Sequence, residues 1–346
     1  SKLTGLSVFW ASKLTNIILI FGILAIFFKF FGKFAYAYGF ILLFGSYIEI
    51  YSFTWSEAPF IFGLVFFATA ISKLIQNQSS KTSKWFPYFI GICLASLALF
   101  FSRYVGIFST GIIGILSLYF ILKRKFKIGS ALIVSLIFNG IVVFGYLYNN
   151  INKTGYYTGI PRIPAPETNF ELTYSLFKSF VSEFVFPLAS LGALGIKLLV
   201  LALLCQIIIL TVWFARSSVK DYFKNRKFDT ICMTFFGVGV IYLIMIITMR
   251  WLVHFDGFSY RLIAPGTLLI FIGFLRHLEL SLNKKDFKSL SISIFFIAFM
   301  ALFCQGLYST VRQISLGKIS YFENIGKINK DYKDIDLDID ENDIKL

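Results

Sequence analysis

Runs of roughly 17–25 almost wholly apolar residues recur along the chain, and each is long enough to cross the hydrocarbon core of a bilayer as a helix. They fall near residues 14–31, 34–50, 58–75, 85–101, 105–122, 128–148, 189–214, 230–250, 261–277 and 290–308. Within a bilayer the backbone N–H and C=O groups must be satisfied inside the segment, so unbroken apolar runs of this length fold as helices. The expected fold is all-α: a polytopic membrane helix bundle of about ten transmembrane helices over residues 1–308. Residues 149–188 form its one long outer loop, and residues 309–346 form a charged C-terminal tail. Composition agrees, since 57% of residues are hydrophobic, above the ~45–50% of a soluble domain. The mean hydropathy is +0.77.

The net charge of +15 would suggest nucleic acid in a soluble protein. Here it follows from sidedness. Connections near 29–33, 73–84, 123–127, 216–229 and 276–288 hold 18 Lys and Arg against four acids. The alternate set, 49–57, 102–104, 149–188 and 250–261, holds six of each sign. Basic residues are retained on the cytoplasmic side. The first set is therefore expected inside and the second outside, with no nucleic-acid partner. Both termini then lie outside, the tail included. Ser1 to Lys13 carries no secretory signal, so the chain is expected to be truncated, lacking an N-terminal span and the outer loop after it.

Several chemistries find no footing. Cys93, Cys205, Cys232 and Cys304 all sit in apolar runs without metal-ligand spacing and read as small core residues. His254 and His277 fall on opposite expected sides, which argues against a histidine-built metal centre. No cofactor is expected, and no divalent-metal site is indicated. P-loop, dinucleotide-binding, Ser-His-Asp and HExxH patterns do not occur. The alternating acids of the tail, Asp331 to Asp343, lack the turn glycine of a calcium loop.

What remains is a set of polar clusters between the spans, all on the outer side. Glu57, in Trp55-Ser56-Glu57-Ala58-Pro59, opens a span where a carboxylate suits the helix dipole. A capping role and a functional role are both open and compatible. Arg103 sits in the short turn Ser102-Arg103-Tyr104. An arginine costs about 2.5–3.5 kcal/mol at mid-membrane, so it must be interfacial or paired. Snorkelling with Tyr104 as an aromatic anchor is the bland reading; a bidentate grip on phosphate is the functional one. The loop Gly155-Tyr156-Tyr157-Thr158-Gly159-Ile160-Pro161-Arg162 is turn-rich, with Tyr157 and Arg162 suited to sugar and phosphate. Phe170, Leu172, Leu176, Phe177, Phe180 and Phe184 then recur with helical spacing, as in an interfacial amphipathic helix. Tyr260-Arg261 opens a later span, and Pro265 loosens its first turns. Glu49 reads as solvated.

In order and sidedness these clusters resemble the GT-C superfamily of polyprenyl-phosphate-sugar glycosyltransferases, in the bacterial branch of protein mannosyltransferases and aminoarabinose transferases. The resemblance rests on Trp55-Ser56-Glu57-Ala58-Pro59-Phe60, Ser102-Arg103-Tyr104-Val105-Gly106, Gly155 to Arg162 and Tyr260-Arg261-Leu262-Ile263-Ala264-Pro265. It implies an enzyme of the bacterial cytoplasmic membrane with its site facing outside. Such an enzyme moves a hexosyl or pentosyl group from a lipid-linked donor, among membrane lipids, to a glycan, lipid or protein acceptor. It implies Arg103, Arg162 and Arg261 at the phosphate, with Arg261 foremost, helped by Tyr104, Tyr157 and Tyr260, and Glu57 behind them as an organiser. The catalytic acid is expected upstream of Ser1, which would leave this fragment inactive. An O-antigen polymerase or ligase is the nearest enzymatic alternative. A lipid flippase or transporter would instead show polar residues at mid-span, and these spans read as apolar at their centres.

Overall fold

The computed structural model describes residues 8–52, 56–78, 82–158, 164–184, 208–216, 229–255 and 257–283, with isolated positions at 201, 205 and between 296 and 311. Among them the protein is helical throughout its core. The helices are α1 (Val8–Phe31), α2 (Ala35–Phe40), α3 (Gly45–Ser52), α4 (Glu57–Gln76), α5 (Thr82–Ser102), α6 (Phe108–Leu122), α7 (Phe126–Thr154), α8 (Asn169–Phe184), α9 (Thr230–Leu252) and α10 (Tyr260–Asn283). Among the described residues seven helical runs are long and apolar enough to cross a membrane, not the ten expected. The expected spans at 189–214 and 290–308 fall largely outside the described residues. The first two expected spans share one run, Trp10–Leu43.

That run is a hairpin whose second leg is broken. The chain turns at Gly32, whose φ of +53° is open to glycine at little cost. The legs then pair antiparallel: Phe31 stacks on Tyr38 with ring centroids 3.7 Å apart. At the far end Asn16 Nδ2 donates to the Tyr51 carbonyl at 2.8 Å, and the Lys13 ammonium reaches the Ser52 carbonyl. Phe44 has extended backbone, with ψ 145°, and its carbonyl accepts from Tyr47 N–H to start α3. Glycines on both sides, Gly39 and Gly45, weaken helix continuity here. An unbroken apolar sequence conceals this break.

α4 is the central helix, buried along most of its length and packed against α1, α5, α9 and α10. α9 and α10 approach closely through glycine. A Cβ on Gly239 would lie 2.7 Å from the Gly266 carbonyl oxygen, and one on Gly266 would lie 2.7 Å from Tyr242 and Leu243. In a bilayer such small-residue contacts replace the hydrophobic effect as the source of helix association. Polar groups do occur at mid-span, contrary to the sequence reading. Ser96 Oγ and Ser109 Oγ are 2.7 Å apart. Fully buried Asn139 donates to the Ser135 carbonyl at 2.8 Å and to Cys93 Sγ at 3.3 Å. They join α5, α6 and α7 side by side, as interhelical polar contacts do in membranes. Of the cysteines, Cys232 is buried and Cys93 partly so, whereas Cys205 and Cys304 are exposed rather than in the core.

The two ends of the bundle carry different polar clusters. At one, Arg276 Nη1 donates to Glu279 Oε1 at 2.7 Å, and Tyr38 donates to Glu279 Oε2 at 2.8 Å. Arg276 also lies 3.4 Å from Asp229, whose carboxylate caps α9 by accepting from Cys232 N–H. This cluster ties α2, α9 and α10 together. The opposite end carries Glu57. Exchanging Gly239 for Leu should lower the thermal midpoint in detergent by an overpacking cost of about 1–3 kcal/mol. The same change at Gly237, where a Cβ meets nothing within 4 Å, should leave it nearly unchanged. Equal midpoints for the two variants would overturn the close packing of α9 on α10.

Candidate functional site

Glu57 is the first residue of α4 and is only 1% exposed. It does not act as a side-chain cap; its Oε1 is held by two arginines from other elements. Arg261, in the first turn of α10, donates through Nε at 3.2 Å and Nη2 at 2.9 Å. Arg103, at the break after α5, places Nη1 3.2 Å from the same oxygen. A buried carboxylate needs such compensation, and removing one partner of a buried ion pair costs about 3–5 kcal/mol. Glu57 thus binds three helices at one point.

Local sequence explains why both arginines arrive there. Arg103 has extended backbone, φ −155° and ψ 138°, between α5 and a 3-10 turn over Tyr104–Ile107. The turn is tight enough that a Cβ on Gly106 would lie 2.3 Å from the Leu99 backbone, so only glycine fits. On α10, Pro265 offers no N–H to the carbonyl one turn back. Two buried tyrosines steady that first turn: Tyr242 donates to the Leu262 carbonyl at 2.7 Å, and Tyr47 to the Ala264 carbonyl at 3.2 Å. Tyr260 bonds Glu49, which also lies close to Arg261. Glu49 is therefore half-buried and paired, not the solvated residue expected from sequence.

Beside this cluster lies a cavity of about 380 Å³. Ser56, Ser102, Arg103, Tyr104 and Thr158 form its polar wall; Ile246, Met249, Val253 and Phe255 form its apolar wall. Of the residues singled out in the sequence, Arg103 and Tyr104 line the cavity. Arg261 and Tyr260 are not among its lining residues; Arg261 bonds Glu57 and lies close to Glu49. Tyr157 exposes its ring and contributes its carbonyl, which accepts from Asn150 Nδ2 at 3.0 Å. Arg162 lies outside the described residues. A larger groove of about 600 Å³ lies nearer the Asp229 end between α4, α6 and α9. No charged side chain lines it, whereas Arg103 lines the smaller cavity, so the chemistry belongs to the smaller cavity. Among the described residues no His, Cys, Asp and Glu grouping could hold a metal ion.

Sequence reasoning missed a second ion pair at this end. Arg250, 1% exposed at the close of α9, bonds Glu167 ahead of α8. His254 Nδ1 lies 3.6 Å from the same carboxylate, and Trp251 Nε1 donates to Asn169 Oδ1 at 3.0 Å. These contacts fix the start of α8, which a Thr168–Glu171 capping box also defines: Thr168 N–H donates to Glu171 Oε2 at 2.8 Å, and Glu171 N–H to Thr168 Oγ1 at 3.3 Å. The capping pattern was legible in the sequence; the pairing across 83 positions was not. Leu172, Leu176 and Ser179 form the buried face of α8, which packs on α3 and α10.

No protein-family model matches this chain, no curated protein matches it, and no solved structure matches it.

Two outcomes follow from this geometry. Glu57→Gln should lower the thermal midpoint more than Arg103→Gln or Arg261→Gln, because it takes a carboxylate partner from two cations at once while each arginine variant leaves Glu57 one partner. Three equal midpoints would remove Glu57 as the hub. The hydrogen bond from Arg250 holds Glu167 below the ordinary carboxylate value. A depressed folded pKa means that the pair's contribution is present at neutral pH and lost as pH falls through that value. Hydrogen exchange across 169–184 should therefore quicken in acid, and Glu167→Gln should quicken it already at neutral pH. Exchange that is unchanged in both would show that the pair does not hold α8.

Proposed function

We propose that the protein is a membrane glycosyltransferase that takes a sugar from a polyprenyl-phosphate carrier at the Glu57 end of the bundle. One observation carries this reading. A guanidinium anchored from behind by a buried carboxylate fronts a cavity that is polar on one side and apolar on the other. Intramembrane ionisable residues of this kind mark substrate sites by default. A cavity with a cation, hydroxyls and an apolar wall suits a ligand that joins phosphate, sugar and hydrocarbon.

The chemistry is transition-state stabilisation. When a sugar leaves its carrier, negative charge grows on the phosphate that departs with the lipid. A pre-oriented guanidinium beside that oxygen lowers the barrier because it need not reorganise. Glu57 supplies the orientation; its buried oxygen is already shared by two cations, so it serves as their counter-ion and not as the base. Arg103, which lines the cavity, becomes the principal phosphate ligand, and Arg261 keeps the carboxylate in place. The mostly apolar groove between α4, α6 and α9 offers a surface for hydrocarbon on the same bundle. The mid-span polar groups bear on the transporter alternative. Ser96 of α5 pairs with Ser109 of α6, and Asn139 of α7 donates to Cys93 of α5, as helix-joining contacts do.

With the first outer loop expected upstream of Ser1 supplied, Arg103→Gln should cut transfer from a panel of polyprenyl-phosphate hexoses and pentoses by about 100-fold or more in kcat, the scale for loss of a charge-stabilising donor. Arg103→Lys should recover only part, since an ammonium cannot reproduce the planar fork. Turnover unaltered by Arg103→Gln would exclude the phosphate assignment.

A further inference from the structure

Tyr104 lines the cavity, but its hydroxyl is already engaged. It donates to the Thr158 carbonyl at 3.2 Å and accepts from Asn150 Nδ2 at 3.2 Å. The same amide nitrogen donates to the Tyr157 carbonyl at 3.0 Å, so both of its protons are used. Asn150 belongs to the last turns of α7. Gly155 ends that helix with φ +77°, which turns the chain so that Tyr157 and Thr158 pass back across the cavity. One turn before Asn150, Tyr146 meets the Tyr104 ring at 6.2 Å and Phe100 at 5.6 Å. α7 therefore holds Tyr104 twice, by its ring and by its hydroxyl.

We infer that Asn150 is a positioning residue of the proposed site, one that sets the place of the Arg103 turn within the polar wall it shares with Thr158. Arg103 immediately precedes Tyr104, and Thr158 accepts from that tyrosine. A single amide thus fixes the cation-bearing turn and the Tyr157–Thr158 segment of that wall relative to each other. Tyr104 is then a strut and not a direct ligand of the sugar phosphate. The inference rests on the phosphate-site reading and names the device that holds its polar wall together. Loss of the amide removes the tie of the Tyr104 hydroxyl to α7 and the hold on the Tyr157 carbonyl, and misplacement by about 1 Å costs up to about 100-fold in a positioned reaction.

The test measures binding of undecaprenyl phosphate to the full chain in lipid nanodiscs, with thermal midpoints recorded alongside. Asn150→Ala and Tyr104→Phe should each weaken binding about tenfold, and the double variant should be no weaker than either alone. Contacting residues of one network behave non-additively in this way. Asn150→Gln, which keeps the amide on a longer arm, should restore part of the affinity. Thermal midpoints should barely move, which separates positioning from a folding defect. Fully additive losses, or wild-type affinity in Asn150→Ala, would overturn the assignment. If Arg103→Gln binds like wild type, the phosphate reading falls. If Asn150→Ala binds like wild type while Arg103→Gln does not, the phosphate reading stands and the positioning role falls.

Discussion

The structure depends on one buried carboxylate. Glu57 sits at the start of a largely buried helix, where an unpaired charge would cost several kcal/mol. Its two partners come from positions 46 and 204 residues away along the chain. Satisfying that one group requires α5 to end at Arg103, α10 to begin at Tyr260 and α4 to lie between them. Apolar packing in a bilayer is weakly directional, because lipid tails and side chains are alike. Charge pairing at the helix ends supplies the register that the apolar spans lack.

The other end obeys the same logic with a different result. Arg276, Asp229, Glu279 and Tyr38 meet one another and bind α2, α9 and α10. There the cation is enclosed by two carboxylates. At the Glu57 end one carboxylate oxygen is shared by two guanidiniums, with Glu49 also close to Arg261, and Arg103 lines an open cavity. The contrast separates a clamp from a candidate binding site on one bundle. The Glu167–Arg250 pair adds a third tie, fastening the start of α8 beside the cavity's apolar wall.

Much of this was legible in the sequence, because bilayer thickness and charge sidedness are one-dimensional signals. Apolar run lengths marked the helices, and alternation of basic connections placed Glu57, Arg103 and Arg261 on a common side. The break at Phe44 was hidden because both halves of the second leg are equally apolar. Glu49 looked solvated because nothing in its neighbourhood reveals Tyr260. Arg250–Glu167, Asn139–Cys93 and Asn150–Tyr104 join distant positions, and a single sequence carries no record of such contacts. The Thr168–Glu171 capping box was visible and marks the start of α8 to the residue. Sequence also ranked Arg261 above Arg103; of the two, Arg103 lines the cavity.

The central claim is that a lipid phosphate sits against Arg103. A polyprenyl phosphate carrying a photoreactive group next to its phosphate, crosslinked to the full chain in nanodiscs and mapped by mass spectrometry, tests it most directly. The account expects adducts within 102–105 and 246–255, competed away by unlabelled undecaprenyl phosphate and lost in Arg103→Gln. Adducts confined to the outward face of α7 or to the Asp229 end would contradict it.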